Sequence, residues 1–167
     1  MLPIQPAILD PMPALARYLV FDLEPEAGPG PSLRRLVESV EPRVTVVGIG
    51  RSTALALGHD VPGLRDFPAG TGRGIEMPAT HGALWCWLRG DDRGELVHRT
   101  RALEAILAPA YRVGAVLDAF RHREGRDLTG YEDGTENPTG ANAVAAAAVR
   151  SGGAGLEGVS FVAVQQW

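Results

Sequence analysis

Between residues 15 and 120 two hydrophobic repeats alternate, and their order leaves few folds open. Arg17–Leu23 (RYLVFDL) repeats every two residues. Leu19, Phe21 and Leu23 share one face, and Tyr18, Val20 and Asp22 share the other. In PSLRRLVESVEP, Leu33, Leu36, Val37 and Val40 fall on one helical stripe, with Ser32 as N-cap and Pro42 as the stop. Arg43–Ile49 (RVTVVGI) is β-branched and apolar on both faces, the pattern of a buried strand. Ser52–Leu57 reads as a short helix ending at Gly58. Ala83–Arg89 (ALWCWLR) is a strand with Trp85 and Trp87 on one face and Cys86 on the other. A helix capped by Asp91 or Asp92 follows and reaches Ala108. Leu96, Leu103 and Leu107 mark its buried face, helped by Ala102 and Ile106. Tyr111–Phe120 closes the unit as a strand with Val113, Ala115 and Leu117 inward.

The order β-α-β-β-α-β is the split βαβ, or ferredoxin-like, arrangement. It implies an α+β fold with an antiparallel sheet and its helices on one face. A first domain of residues 1–120 therefore consists of this unit and a proline-rich arm. Seven of the 13 prolines precede residue 32, so the arm cannot form a continuous helix. Residues 58–81, rich in Gly and Pro, read as a long irregular loop. Residues 121–167 stand apart. They hold a charged stretch, the turn-rich Gly130–Gly140, an alanine-heavy helix at Ala141–Arg150, a Gly-rich loop and a strand at Val159–Trp167. That strand pattern ends without a turn or cap, as the opening of a second ferredoxin-like unit in something longer would.

Composition narrows the function. The chain has 167 residues, 45% of them hydrophobic, enough for a sizeable core. Its net charge of −4 argues against nucleic-acid binding, which calls for a basic footprint. A single cysteine excludes a disulfide framework and Cys-rich metal sites. All 16 basic residues are arginine, which excludes a catalytic lysine. No apolar run approaches the ~20 residues of a membrane span, and MLPIQPAILD lacks a cationic leader. The expectation is a cytoplasmic protein without a membrane partner.

The densest polar cluster is Arg126–Pro138 (RDLTGYEDGTENP). Gly130 and Gly134 let the backbone turn tightly or approach a flat ligand. Glu132, Asp133 and Glu136 repel one another, which favours proton transfer by raising a carboxyl pKa. An acidic surface turn has the same composition. The spacing of an EF-hand calcium loop is absent. His59, His81, His98 and His122 show no metal-ligand spacing, and no metal site is expected among them. His122, after the fourth strand and near the acidic cluster, is the one histidine placed to matter.

That 13-residue block resembles the signature of the dye-decolourising peroxidase family, with its G-x-x-D-G element at Gly130–Gly134. QPAILD, GRSTALALG, RDFP and SFVAVQQW resemble the family's bacterial cytoplasmic branch in the same order. The resemblance implies a haem peroxidase of two ferredoxin-like domains with haem b between them. Residues 121–167 would then hold the distal haem loop, a linker helix and the first strand of an incomplete C-terminal domain. Asp133 maps onto the distal aspartate that moves a proton as hydrogen peroxide is cleaved. Glu132, Asp133, Gly134, Thr135 and Glu136 would line the cofactor, with Gln165 on the pocket wall. The proximal histidine and distal arginine of the family have no counterpart in this chain. The implied partners are hydrogen peroxide, small aromatic reductants, further copies of the chain and an encapsulating shell. Two other readings share the sequence: a non-catalytic oligomeric ferredoxin-like module pairing through an open strand edge, and a haem-handling protein that releases iron.

Overall fold

A computed structural model describes residues 4–153 and 155–165. One turn of 3-10 helix at Pro6–Ile8 precedes strand β1 (Leu15–Leu23). Pro6 stands at the start of that turn, where its missing N–H costs nothing. Helix α1 (Gly30–Ser39), strand β2 (Thr45–Ile49) and the short helix α2 (Arg51–Ala56) follow. Next come β3 (Gly70–Gly72), β4 (Ile75–Met77), β5 (Leu84–Gly90), α3 (Arg93–Leu107), β6 (Tyr111–Phe120) and α4 (Gly140–Ala147).

The main sheet runs β2-β5-β1-β6, and every neighbouring pair is antiparallel. This is the ferredoxin-like order expected from the alternation of repeats. The period-two reading of β1 and β5 holds. Leu19, Phe21, Leu84, Cys86 and Leu88 form the core face and pack with Leu36, Leu96, Leu103 and Leu107 of α1 and α3. Buried in that core, the Cys86 thiol is pushed up to about 12 by desolvation. Trp85 and Trp87 lie on the opposite, helix-free face, half-buried. Tyr18 of β1 stacks between them at ring-centroid distances of 5.8 and 6.2 Å.

Asp92 caps α3 by accepting the Glu95 N–H at 2.8 Å. Ser32 does not cap α1. It lies inside the helix, which opens at Gly30–Pro31, and its hydroxyl accepts from Arg35. Val37 leaves the expected stripe and is 78% exposed, because α1 meets the sheet and α3 only along Leu33, Leu36 and Val40. Ala102 of α3 likewise faces solvent.

Three other expectations change. β2 is an edge strand rather than a doubly buried one, and Ile49 is 46% exposed. β6 forms the other edge. Ala115 and Leu117 are exposed there because their face is the one no helix covers, and only Val113 is partly buried against the core. Residues 58–81 are not wholly irregular. β3 and β4 form a hairpin whose turn places Arg73 and Gly74 at φ 51° and 80°, the positive angles of a two-residue hairpin turn.

The pairing of β1 with β6 shifts register between Val20 and Phe21, leaving Gly114 as the extra residue. After β6, α4 ends at Ala147 rather than Arg150. The expected strand at Val159–Trp167 does not form over residues 159–165. Among the described residues no strand takes up its backbone groups, and residues 161–165 are exposed. Gln166 and Trp167 lie outside the described residues.

Candidate functional site

The loop after β6 is shaped by Asp127. Its Oδ1 accepts from the Thr129 hydroxyl at 2.7 Å and from the backbone N–H groups of Thr129 and Tyr131 at 2.9 and 3.0 Å. These bonds, the Thr129 hydroxyl first, hold the Asp127 carboxyl below the usual carboxylate range. Such a side-chain ring substitutes for backbone turns. Arg126 closes the same loop, donating to the Gly130 carbonyl at 2.9 Å and lying 4.0 Å from the Glu132 carboxylate. Arg126 and Glu132 also form an isolated antiparallel bridge. The Asp-x-Thr-x-Tyr spacing carries this organising role, which the acidic cluster had overshadowed in the sequence.

Gly130 and Gly134 both adopt positive φ, 98° and 77°, as the tight turns require. A Cβ at Gly134 would also meet the Asn137 side chain at 2.7 Å. The next turn is closed by Asn137 N–H on the Gly134 carbonyl at 3.0 Å. Asp133 sits between the two glycines. Glu132, Asp133, Gly134, Thr135 and Glu136 are together on one exposed loop, as their sequence proximity dictates. Gln165 is exposed in a segment without regular structure, and no hydrogen bond among the described residues ties it to that loop.

The residues present fit one side of a flat cofactor. The loop offers an exposed carboxylate at Asp133, and Gly130, three residues before it, has open space at its Cβ position. Haem iron takes a strong donor such as His, Cys or Tyr. Within residues 126–138 only Tyr131 is of that kind, and it is 76% exposed. Cys86 is sealed in the core, and Tyr111 is engaged with Thr53 at 3.1 Å. His59, His81 and His98 are exposed, with His81 3.7 Å from Asp66, and His122 is half-buried. Among the described residues no cluster of three metal-ligating side chains occurs. No described helix is long and apolar enough to cross a membrane.

The family model described as Dyp-type peroxidase, C-terminal, matches residues 124–167, which include this loop. A dye-decolorizing peroxidase of Mycolicibacterium paratuberculosis is 30% identical over 99% of this chain and 51% of its own length. A Dyp-type peroxidase protein of Shewanella oneidensis superposes with a TM-score of 0.74 at 23% identity, over 85% of this chain and 50% of that one. A DypB variant of Rhodococcus jostii RHA1, solved in complex with heme, gives 0.70 at 22% over 85% and 50%. The encapsulated DyP-type peroxidase of Mycobacterium smegmatis gives 0.66 at 26% over 85% and 50%. The chain thus spans about half the length of the relatives it matches. In sequence the chain is similar to dye-decolourising peroxidases over about half their length, and it shares their fold there.

Proposed function

We propose that this chain is the peroxide-facing part of a haem peroxidase that oxidises dyes, phenols or similar one-electron donors, with Asp133 as its proton-transfer residue. The carrying observation is the exposed Asp133 carboxylate between two positive-φ glycines, inside the segment matched by the family model. Haem, when bound, supplies the redox chemistry with hydrogen peroxide. Asp133 accepts a peroxide proton on one carboxylate oxygen and returns it to the oxygen that leaves as water. Asp127 and Arg126 hold the loop that presents it. Glu132, Gly134, Thr135 and Glu136 line the cofactor, and the side chains of Glu132, Thr135 and Glu136 keep its rim polar. Gln165 forms part of the pocket wall.

In this reading residues 121–167 begin a second domain, and the axial donor comes from the part of the family length that this chain does not span. Haem b, assembly with further copies, a cytoplasmic location and enclosure in a shell belong to the same proposal. The shell rests on the relative described as encapsulated.

A haem titration of the 167-residue chain, followed at the Soret band with intact mass recorded, tests the proposal. A family-length protein carrying the same loop is tested alongside for peroxide-dependent dye oxidation. The expected result is a tight protein-ligated complex only in the longer protein, with turnover lost in Asp133→Ala. Full turnover without Asp133 overturns the catalytic assignment. A tight one-to-one complex of the short chain overturns the external axial donor.

A further inference from the structure

We infer that residues 5–11 are a cis-acting cap on the outer edge of β2, and that this edge, once uncapped, pairs with β2 of a second copy of the chain. The Arg89 N–H to the Val44 carbonyl and the Gly50 N–H to the Ala83 carbonyl, both at 2.9 Å, turn the even-numbered residues of β2 toward β5. Thr45, Val47 and Ile49 therefore direct their backbone groups outward. An open row of such groups is a template for another strand.

Two of these positions are closed from within the chain. The Thr45 N–H donates to the Glu41 carbonyl at 3.0 Å. The Gln5 side-chain amide meets Val47 twice at 2.8 Å, Nε2 donating to the Val47 carbonyl and Oε1 accepting the Val47 N–H. Gln5 thus imitates the paired exchange of a facing β-residue.

The cap is anchored. The Arg89 guanidinium, on a residue only 6% exposed, lies 4.6 Å from the Trp87 ring centroid and donates to the carbonyls of Ala7, Asp10 and Pro11. A second tie joins Arg43 to Asp10 at 3.5 Å. Ala7 is fully buried beneath this arrangement.

The occupant follows from β2 itself. Thr45–Ile49 (TVVGI) carries no charge, and the arginines that flank it, Arg43 and Arg51, which lie opposite each other at the ends of such a pairing, each have a carboxylate partner, Asp10 at 3.5 Å and Asp60 at 3.4 Å. Antiparallel pairing about a two-fold axis at Val47 sets Val47 against Val47 and Thr45 against Ile49. Each Val47 then exchanges the two hydrogen bonds that Gln5 now supplies. Such an interface uses one patch on both copies and closes at two.

The test uses the full chain. In Gln5→Ala, at a dilution where the variant is monomeric, hydrogen exchange at the Val47 amide should accelerate roughly tenfold, the effect of losing one ordinary hydrogen bond, while Leu19 in the sheet centre stays unchanged; at concentrations where copies pair, Val47 exchange should slow again. Sedimentation equilibrium should show a concentration-dependent doubling of mass in Gln5→Ala that the unaltered chain lacks. Val47→Pro in that background removes the pairing N–H and should abolish the doubling, and so should the milder Ile49→Lys. Unchanged Val47 exchange in the dilute, monomeric Gln5→Ala chain, unchanged mass in Gln5→Ala at high concentration, or doubling that survives both second substitutions each overturn the inference. So does association of the unaltered chain that either substitution abolishes.

Discussion

Arg17 of β1 grips Asp118 of β6 through two parallel hydrogen bonds, Nε to Oδ1 at 2.7 Å and Nη2 to Oδ2 at 2.8 Å. The pair clamps the edge strand to the sheet centre across 101 residues of sequence. The Arg17 hydrogen bond holds the Asp118 carboxyl below its ordinary range, and the positive charges of Arg17 and Arg93 assist.

A depressed folded-state pKa means that this stabilisation is present above the unfolded carboxyl value of about 4 and fades as pH falls through the lower folded value. Asp118 is 57% exposed, so the pair contributes no more than about 1 kcal/mol. Asp118→Asn should lower the melting temperature at pH 7, and the difference from the unaltered chain should shrink below pH 4. Thermal melts across pH 3–7 check this, and an equal difference at every pH would deny the ion pair its role.

Gly50 is required by a backbone approach. A Cβ there would lie 1.9 Å from the Gly82 carbonyl oxygen, which cannot swing aside. Gly50→Ala should destabilise the chain by roughly 3 kcal/mol, at the upper end of overpacking effects. Gly28→Ala, with open space around it, is the matched control and should change stability by less than about 0.5 kcal/mol. Urea denaturation of the two variants decides between them.

Cys86 should be inert to a chromogenic disulfide reagent in the native chain at pH 8, where a thiol pushed up to about 12 stays protonated. In denaturant it should react in full. Rapid labelling without denaturant would place the core face of β5 in solvent.

Asp127→Ala should release the Thr129 and Tyr131 amides to fast exchange while leaving the melting temperature unchanged, since the ring it organises is local and exposed. In the family-length protein the same substitution should slow peroxide-dependent turnover less than Asp133→Asn does. For Asp133→Asn the expected loss is on the order of 10²–10⁴-fold, the usual weight of a positioned proton-transfer group. Steady-state rates for the two variants check the order, and a reversed order would make Asp127 the more important carboxylate.

The acidic loop was legible because its parts are neighbours in sequence. Gly130, Asp133 and Gly134 had to lie together, and the positive φ at both glycines realises what their identity suggested. The roles of Asp127 and Arg126 were hidden among similar charges, because composition does not say which carboxylate turns back on its own backbone. The place of Gln165 on a pocket wall is what the family resemblance implies, and the strand that would carry it has no partner among the described residues.

By itself the sequence determined the order and type of the main elements, the division of β5 into a Cys86 face and a Trp85–Trp87 face, and an aspartate cap on α3 at Asp91 or Asp92. These follow from side-chain period and local hydrogen bonding, which act over a few residues. Tertiary structure alone decided that β2 and β6 are edges, that Val37 and Leu117 face solvent, that residues 70–77 pair as a hairpin and that Gln5 seals Val47. Each depends on which distant segment arrives beside a strand or helix. A local repeat specifies that a face exists, and only the packed neighbours determine whether it is covered.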